Sequence, residues 1–69
     1  MAYNNRGIAW SRQGEINRAI NDFTKTIELN PDAAEAYISR ANAYLILMQN
    51  KKAITDFNTL ILHQIDLEK

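Results

Sequence analysis

The residues of this sequence that could support catalysis are few and scattered. His63 is the single histidine, and it could be combined with Ser11 or Ser39 and with Asp22 as a nucleophile, a base and an acid. Such a set works only when the side chains meet, and neither serine lies in a nucleophile-elbow motif. We therefore interpret His63 as a surface or terminal residue and predict that the protein is not an enzyme.

Metal and cofactor chemistry has equally little support. The sequence contains no cysteine, which removes disulfides, thiolate zinc sites and cysteine nucleophiles together. His63 has no second residue of the usual metal-binding kind at a ligand spacing. No phosphate-binding loop is present either. We expect no metal and no cofactor.

Charge and hydropathy narrow the classes of partner. Eight basic and eight acidic residues give a formal net charge of zero, so there is no basic field to attract nucleic acid or anionic lipid. No apolar run approaches the roughly 20 residues of a membrane span, and the start of the sequence lacks the features of a signal peptide. We expect no nucleic-acid partner, no membrane partner and, by default, a cytoplasmic protein.

The apolar residues are spaced for short amphipathic helices. Tyr3, Gly7 and Trp10 share one face of a first helix, which Gly14 ends with a positive φ. At this spacing the aromatic residues indicate a core and not a stacking surface for single-stranded nucleic acid. The apolar stripe of a second helix consists of Ala19, Ile20, Phe23 and Ile27.

Polar residues predict where the second helix begins and where the third begins. Asn17 is the expected N-cap of the second helix. Asn30 and Pro31 end it, because proline disfavours helical geometry at the preceding residue. Asp32 and Glu35 then have the spacing of a capping box, which predicts the start of a third helix.

The second half of the chain repeats the first half with a period of 34 residues. Identical residues stand 34 positions apart at Ala2/Ala36, Tyr3/Tyr37, Arg6/Arg40, Ala9/Ala43, Ala19/Ala53, Ile20/Ile54, Asp22/Asp56, Phe23/Phe57, Ile27/Ile61 and Asp32/Asp66. Because these matches cluster at helix-face spacing, we predict that the third and fourth helices copy the first and second. A helix-turn-helix unit of this length is typical of tetratricopeptide repeats.

The whole chain resembles the tetratricopeptide repeat family. The family's pattern of aromatic, small and proline residues is met first by Tyr3, Gly7, Trp10, Ala19, Phe23 and Pro31, and again by Tyr37, Ala41, Tyr44, Ala53 and Phe57. The resemblance implies an all-α fold, with two helix-turn-helix hairpins stacked as a short right-handed α-solenoid. It also implies one domain over residues 1–69, with repeat one at 2–33 and repeat two at 34–67.

The second repeat departs from the family pattern at both of its helix breakers. Met48 stands where the first repeat has Gly14, and Ile65 stands where it has Pro31. Two alternatives follow for the third and fourth helices. They are either joined by a turn centred on Gln49 and Asn50, or fused into one helix that would exchange with a second chain in a swapped dimer.

The resemblance also implies a binding surface, because the first helix of each repeat lines the inner side of the superhelix in this family. This predicted concave face consists of Asn4, Asn5, Ile8, Ser11, Arg12, Glu35, Ile38, Ser39, Asn42, Leu45 and Ile46. Amide and apolar side chains together suit an extended or helical peptide of another protein. The alternative is that these residues only face solvent.

One known use of the family is a clamp for the acidic C-terminal tail of chaperones. The lysine and asparagine of that clamp are replaced by Asn4 and Ile8 in the first repeat, and Ser39 replaces the asparagine of the second. The third repeat, which brings further basic residues, is missing from this sequence. We therefore expect no clamp for a terminal carboxylate.

Two pairs of opposite charges recur with the repeat. Arg6 and Asp22 are followed by Arg40 and Asp56, so we predict an ion pair between the two helices of each repeat. As surface pairs they would contribute about 0 to 1 kcal/mol and would set register more than stability. The alternative is independent, solvated charges.

A second class of function is self-association. Two repeats are fewer than the three that stacked arrays usually need, and the final helix has no obvious polar cap. The four apolar residues from Tyr44 to Leu47 cannot all face one core. The expected contacts of a homo-oligomer, or of neighbouring repeats in a longer chain, are Leu45, Leu47, Leu60, Ile61, Leu62 and Ile65.

Overall fold

Four α-helices make up most of the part of the chain that the structure describes. The computed structural model describes the backbone of residues 2–67 and the side chains of residues 3–62. The helices are α1 (Ala2–Arg12), α2 (Ile16–Leu29), α3 (Ala34–Ile46) and α4 (Asn50–Leu67). Residues 2–67 contain no β-strand, and the expected all-α fold is confirmed.

The helices pack as two stacked hairpins. α1 packs against α2 and α3 packs against α4, while α2 and α3 form the contact between the hairpins. α1 also touches α3 directly, so the first helices of the two hairpins are neighbours. Within residues 2–67 no helix is both long enough and apolar enough to cross a lipid bilayer.

The core is built from small residues around one large ring. Phe23 is 1% exposed, and the position where a Cβ atom of Gly7 would lie is only 2.6 Å from its Cε1 atom. The first hairpin can therefore bring α1 this close to α2 only with glycine at position 7. The other buried apolar residues are Ala19, Ala36, Ala41, Ala43 and Ala53.

The buried stripe of α2 differs from the predicted one. Ile20 and Ile27 are half-buried, whereas Asp22 and Thr26 are each only 1% exposed. Both polar side chains are satisfied where they lie: Asp22 accepts hydrogen bonds from Arg6, and the Thr26 hydroxyl donates to the Asp22 carbonyl at 3.1 Å. Buried polar groups with such partners avoid most of the desolvation penalty.

The third and fourth helices are joined by a turn, so the fused-helix alternative is wrong. Gly14 ends the first helix with φ of 81°, and Met48 adopts φ of 61° at the corresponding place after α3. Methionine rarely takes this left-handed conformation, because its Cβ crowds the backbone. The 34-residue period therefore preserves the backbone geometry of the turn although its glycine is lost.

The hydrogen bonds of the two turns also match. In the first turn Glu15 N donates to the Trp10 carbonyl at 2.9 Å, and Gly14 N donates to the Ser11 carbonyl at 3.1 Å. The corresponding bonds in the second turn are Gln49 N to Tyr44 O at 2.8 Å and Met48 N to Leu45 O at 3.0 Å. This pair of bonds defines a Schellman motif, which satisfies the last carbonyls of each helix.

The predicted caps at the starts of α2 and α3 are wrong. α2 begins one residue before Asn17, with Glu15 at the cap position, and α3 begins with Ala33 at the cap position. Neither cap residue makes a side-chain hydrogen bond to its helix. Before α3, the Asn30 side chain instead accepts the backbone N–H of Asp32 at 3.2 Å. The Asn30 side chain therefore helps to shape the turn between α2 and α3.

Candidate functional site

The predicted concave face draws its residues from α1 and α3, which are in direct contact. Its members differ widely in exposure. Asn5, Arg12, Glu35, Ile38, Asn42, Leu45 and Ile46 are exposed, Ile8, Ser11 and Ser39 are half-buried, and Asn4 is buried. Most of the predicted face is therefore accessible to a partner.

Its apolar part belongs to α3. The exposed fractions are 40% for Ile38, 46% for Leu45 and 61% for Ile46. Met48, in the turn that follows, is 85% exposed and was missed by the sequence prediction. Met48 has a positive φ and lies in the turn after α3. In the sequence, only the replacement of the first repeat's Gly14 by methionine could have indicated that this side chain is exposed. Three large aliphatic side chains on one helix are available to an apolar partner.

The polar part of the predicted face lies mainly on α1. Asn5 and Arg12 are exposed there, whereas Ser11 and Ile8 are half-buried. Asn42 adds an exposed amide from α3. Amide side chains can donate to and accept from the backbone of a bound peptide. The two helices thus offer different chemistry, with polar groups on α1 beside aliphatic groups on α3.

Asn4 does not lie on the open surface. It is 9% exposed, and its Oδ1 atom has no hydrogen-bond partner within the described side chains. Together with Glu35 it lines a notch of about 250 Å³ between α1, the end of α2 and the start of α3. Asn4 and Glu35 are the two members of the predicted face that line this notch.

The ion pairs that position α1 and α3 are confirmed. Arg6 Nε and Nη2 each donate to one carboxylate oxygen of Asp22 at 2.8 Å. Arg40 repeats the pattern on Asp56 at 2.9 and 2.7 Å. The expectation that these are surface pairs is wrong for the two carboxylates: the Asp22 side chain is only 2% exposed and the Asp56 side chain only 4%. Small residues at the helix crossings let these short acidic side chains lie between the helices.

The two pairs differ in burial and in electrostatics. The Arg6 side chain is 56% exposed and the Arg40 side chain 17%. Hydrogen bonds from Arg6 hold the pKa of Asp22 below its ordinary value, although burial alone would raise that pKa. Hydrogen bonding to Asp56 raises the pKa of Arg40, with burial acting against it.

Aromatic rings at the ends of the hairpins are covered by cations. The Arg18 guanidinium lies 4.8 Å from the centre of the Trp10 ring, and Lys52 Nζ lies 5.6 Å from the Tyr44 ring at the corresponding place. Arg6 and Lys25 both approach Tyr3. Cation–π contacts of this kind stabilise the hairpins, and they engage the rings with cations of the same chain.

The catalytic grouping considered from sequence has no geometric support. Both carboxylate oxygens of Asp22 accept from Arg6, so they are already engaged. The side chain of His63 lies outside the described residues. In the part of the chain that the structure describes, no three acidic, cysteine or histidine residues are grouped to hold a metal ion.

The expected self-association residues are partly exposed. Leu45, Ile61 and Leu62 are 46%, 53% and 62% exposed, whereas Leu47 and Leu60 are half-buried. The side chain of Ile65 lies outside the described residues. Ile54, 55% exposed, was missed because its identity with Ile20 was interpreted only as core.

Comparison with known proteins agrees with the helical repeat. Sequence models of the tetratricopeptide repeat match residues 1–33 and residues 23–55, so the two matches together extend over residues 1–55. Tetratricopeptide repeats generally mediate protein–protein interaction, and they typically serve as non-catalytic scaffolds.

Several curated proteins are similar over most of the chain. Human sperm-associated antigen 1 is 34% identical over 64 residues, which are 93% of this chain and 7% of that protein. Zebrafish (Danio rerio) sperm-associated antigen 1A is 34% identical over 65 residues, 94% of this chain and 15% of that protein. Tetratricopeptide repeat protein 36 of Caenorhabditis elegans is 36% identical over 52 residues, 75% of this chain and 29% of that protein. The chain thus spans less than a third of each of these relatives, and it belongs to the tetratricopeptide repeat family.

Proposed function

We propose that this chain binds a peptide or a helix of another protein through the predicted concave face. The observation that carries the proposal is the exposure of Ile38, Leu45 and Ile46 along α3. Exposed aliphatic groups of this size, bordered by polar residues, are typical of surfaces that bind other proteins. The apolar groups would select side chains of the partner.

The polar members of the face have a separate role in this proposal. Asn5 and Asn42 are exposed amides on neighbouring helices. An amide can satisfy both the N–H and the C=O of a peptide backbone, which otherwise lose their water on binding. The amides would hold the backbone of the partner, and the aliphatic groups of α3 would determine its sequence.

A pull-down from source lysate tests the proposal. The variant carries Asn5→Ala, Asn42→Ala and Leu45→Ala, and we expect it to recover at least about tenfold less partner than wild type. The matched control carries Asn17→Ala, Asn21→Ala and Leu29→Ala, two asparagines and one leucine that are exposed on or beside α2. Equal recovery by the two triple variants would reject the concave face as the binding site.

We further propose that this face does not recognise a terminal carboxylate. The residues at the places of the family's clamp are Asn4, Ile8 and Ser39, none of which carries a positive charge. Asn4 is moreover buried. Calorimetric titration with an acidic C-terminal peptide should show no binding at micromolar concentrations, and a sub-micromolar dissociation constant would overturn this point.

We also propose that residues 1–69 act as one domain, with repeats at 2–33 and 34–67. Packing of α2 against α3, with the Arg40–Thr24 hydrogen bond across that contact, supports a single domain because it joins the two hairpins. Limited proteolysis should leave residues 47–49 and 30–33 uncut under native conditions. Cleavage into two stable halves would contradict a single domain.

A further inference from the structure

The notch between α1, the end of α2 and the start of α3 is lined by a buried amide that has an unpaired oxygen. Asn4 is 9% exposed, and its Oδ1 atom has no hydrogen-bond partner within the described side chains. An unpaired buried acceptor is unfavourable in a folded protein, so its presence needs an explanation. The notch has a volume of about 250 Å³, which is room for a small polar group of a second molecule.

The start of α3 brings hydrogen-bond donors to the same notch. The first N–H groups of a helix have no partner within it, and the cap residue Ala33 makes no side-chain bond to them. Ala36 N donates to the Ala33 carbonyl at 3.1 Å, whereas the N–H groups of Ala34 and Glu35 have no backbone partner among the described residues. Both residues line the notch. An unpaired acceptor and two unpaired donors thus belong to one small cavity.

The second repeat shows that polar residues are not required at these positions of the repeat. Ile38 stands 34 residues after Asn4, and Leu60 stands 34 residues after Thr26, which also lines the notch. The same two positions are therefore polar in the first hairpin and aliphatic in the second. Aliphatic residues would leave no polar atom to be satisfied. The unpaired oxygen of Asn4 is thus a property of this notch and not a demand of the helical repeat.

The mixture of donors and acceptors favours a neutral amide over a charged group. A carboxylate could accept from the start of α3, but it has no proton for Asn4 Oδ1 and would be repelled by Glu35. An ammonium group could donate to Asn4, but it has no acceptor for the N–H groups and would meet the positive end of the α3 dipole. A primary carboxamide carries a carbonyl oxygen and two N–H groups, so it can satisfy both sides at once.

We infer that the notch binds the side-chain carboxamide of a glutamine or asparagine of the partner. An N–H of that carboxamide donates to Asn4 Oδ1, and its carbonyl oxygen accepts from the backbone N–H groups at the start of α3. The inference rests on the proposed function, because Asn4 and Glu35 belong to the predicted concave face. It adds the requirement for one type of side chain in the bound peptide.

A small amide tests the notch without any partner protein. Propionamide carries the group that we expect to bind, and propionate has the same shape with a negative charge. In NMR titrations, propionamide should shift the backbone amide signals of Ala34 and Glu35 and the side-chain amide signal of Asn4, with a dissociation constant of about 1 to 100 mM. Propionate should bind at least about tenfold more weakly. The absence of a saturable shift, or equal binding of the two compounds, would overturn the inference.

Substitution of Asn4 tests the role of its side chain. Asn4→Ile removes the acceptor and should weaken propionamide binding at least about tenfold. Asn4→Leu replaces it if circular dichroism shows that Asn4→Ile is not folded. The matched control is Asn5→Ile, because Asn5 is an exposed asparagine on the same helix and does not line the notch. The control should bind propionamide as wild type does. Undiminished binding by the Asn4 variant, or an equal loss in the control, would overturn the inference.

Selection from a random peptide library connects the notch with the partner. Peptides retained by wild type should carry glutamine or asparagine at one position at least about fivefold above its frequency in the library. Peptides retained by Asn4→Ile should lack this preference. Retained peptides without an amide preference would overturn the inference and leave the proposed function intact. Failure to retain any peptide, with propionamide still binding in the notch, would instead count against the proposed function alone.

Discussion

Arg40 and Asp56 are joined by two hydrogen bonds of 2.9 and 2.7 Å, and Arg40 reaches α2 through a third, to Thr24. The Arg6–Asp22 pair has the same two bonds but no link to another hairpin among the described residues. One arginine therefore connects three helices, and the other connects two. The Arg40 pair belongs to the contact between the hairpins.

Replacing these arginines should have unequal effects on stability. Arg40→Met leaves the buried Asp56 carboxylate without its partner and removes the bond to Thr24. We expect its free energy of unfolding to fall by about 2 kcal/mol, less than a fully buried pair would lose, because Arg40 is partly exposed. Arg6→Met should lower it by less, since Arg6 is largely exposed. Urea unfolding of both variants measures the difference, and equal losses would contradict it.

The pH dependence of stability follows from Asp22. Hydrogen bonds from Arg6 lower the pKa of this carboxyl below its ordinary value of 3.8. Because the folded protein binds the proton less tightly than the unfolded chain, Asp22 contributes stability above pH 3.8. That contribution is lost as the pH falls through the lowered pKa of the folded state.

Chemical unfolding between about pH 2.5 and about pH 6 tests this dependence. The free energy of unfolding of wild type should fall below about pH 4. In Arg6→Met the hydrogen bonds are gone and burial raises the pKa of Asp22, so the fall should be shallower. An acid-induced fall of the same size in both proteins would show that Asp22 is not responsible.

The turn at Met48 is a place where the chain can be stabilised. Met48 has φ of 61° and is 85% exposed, so its side chain contributes little packing. Met48→Gly relieves roughly 1 to 2 kcal/mol of strain, while the more flexible unfolded chain offsets about 0.4 to 1 kcal/mol. We expect a net gain of about 0.5 to 1 kcal/mol, measured by urea unfolding.

Gly14→Ala is the matched control for that turn. Gly14 has φ of 81° and open space around the position of a Cβ atom, so only the backbone conformation is tested. We expect a loss of about 1 kcal/mol. If both substitutions left the free energy of unfolding unchanged, the left-handed geometry of the two turns would be wrong.

Close packing at Gly7 gives a further prediction. A Cβ atom there would lie 2.6 Å from Cε1 and 2.9 Å from Cδ1 of the buried Phe23 ring. Alanine improves helix propensity by about 1 kcal/mol, but this steric conflict should outweigh the gain. We expect Gly7→Ala to lower the free energy of unfolding by about 1 to 3 kcal/mol.

The double variant Gly7→Ala, Phe23→Leu separates sterics from other causes. If the ring is the obstacle, the two substitutions together should be less destabilising than the sum of the single ones. Additive losses in thermal or urea unfolding would contradict a direct conflict between position 7 and Phe23.

The sequence predicts the helices and their pairing because those depend on periodic, local features. Tyr3, Gly7 and Trp10 recur as Tyr37, Ala41 and Tyr44, and the packed hairpins follow. Burial of Asp22 could not be predicted in the same way. A carboxylate enters a core only when a partner such as Arg6 arrives from a neighbouring helix, and that meeting depends on tertiary structure.

The binding surfaces were predictable to different degrees. The exposure of Leu45 and Ile46 follows from a run of apolar residues too long for one helix face. The exposure of Ile54 does not, because its sequence context is almost the same as that of Ile20. Ile20 is half-buried on α2, which packs against α3, whereas Ile54 is exposed on α4, which no helix follows among residues 2–67.

Asn4 is the residue whose substitution most directly tests the notch between α1 and α3. Its Oδ1 atom is buried without a hydrogen-bond partner among the described side chains, which is unfavourable in a folded protein. The corresponding residue of α3 is Ile38, which is 40% exposed where Asn4 is 9% exposed, so a first helix accepts an aliphatic side chain at this place and its burial adds hydrophobic stabilisation. Asn4→Ile should therefore raise the free energy of unfolding by about 1 kcal/mol.

The control for that substitution is Asn5→Ile, at a neighbouring exposed position where no buried polar atom is removed. It should change stability by less than about 0.5 kcal/mol in urea unfolding. A loss of stability in Asn4→Ile alone would mean that the amide of Asn4 is satisfied in solution by water or by a neighbouring group. The notch would then be polar, and an amide or carbonyl group of a bound peptide would be the ligand expected to enter it.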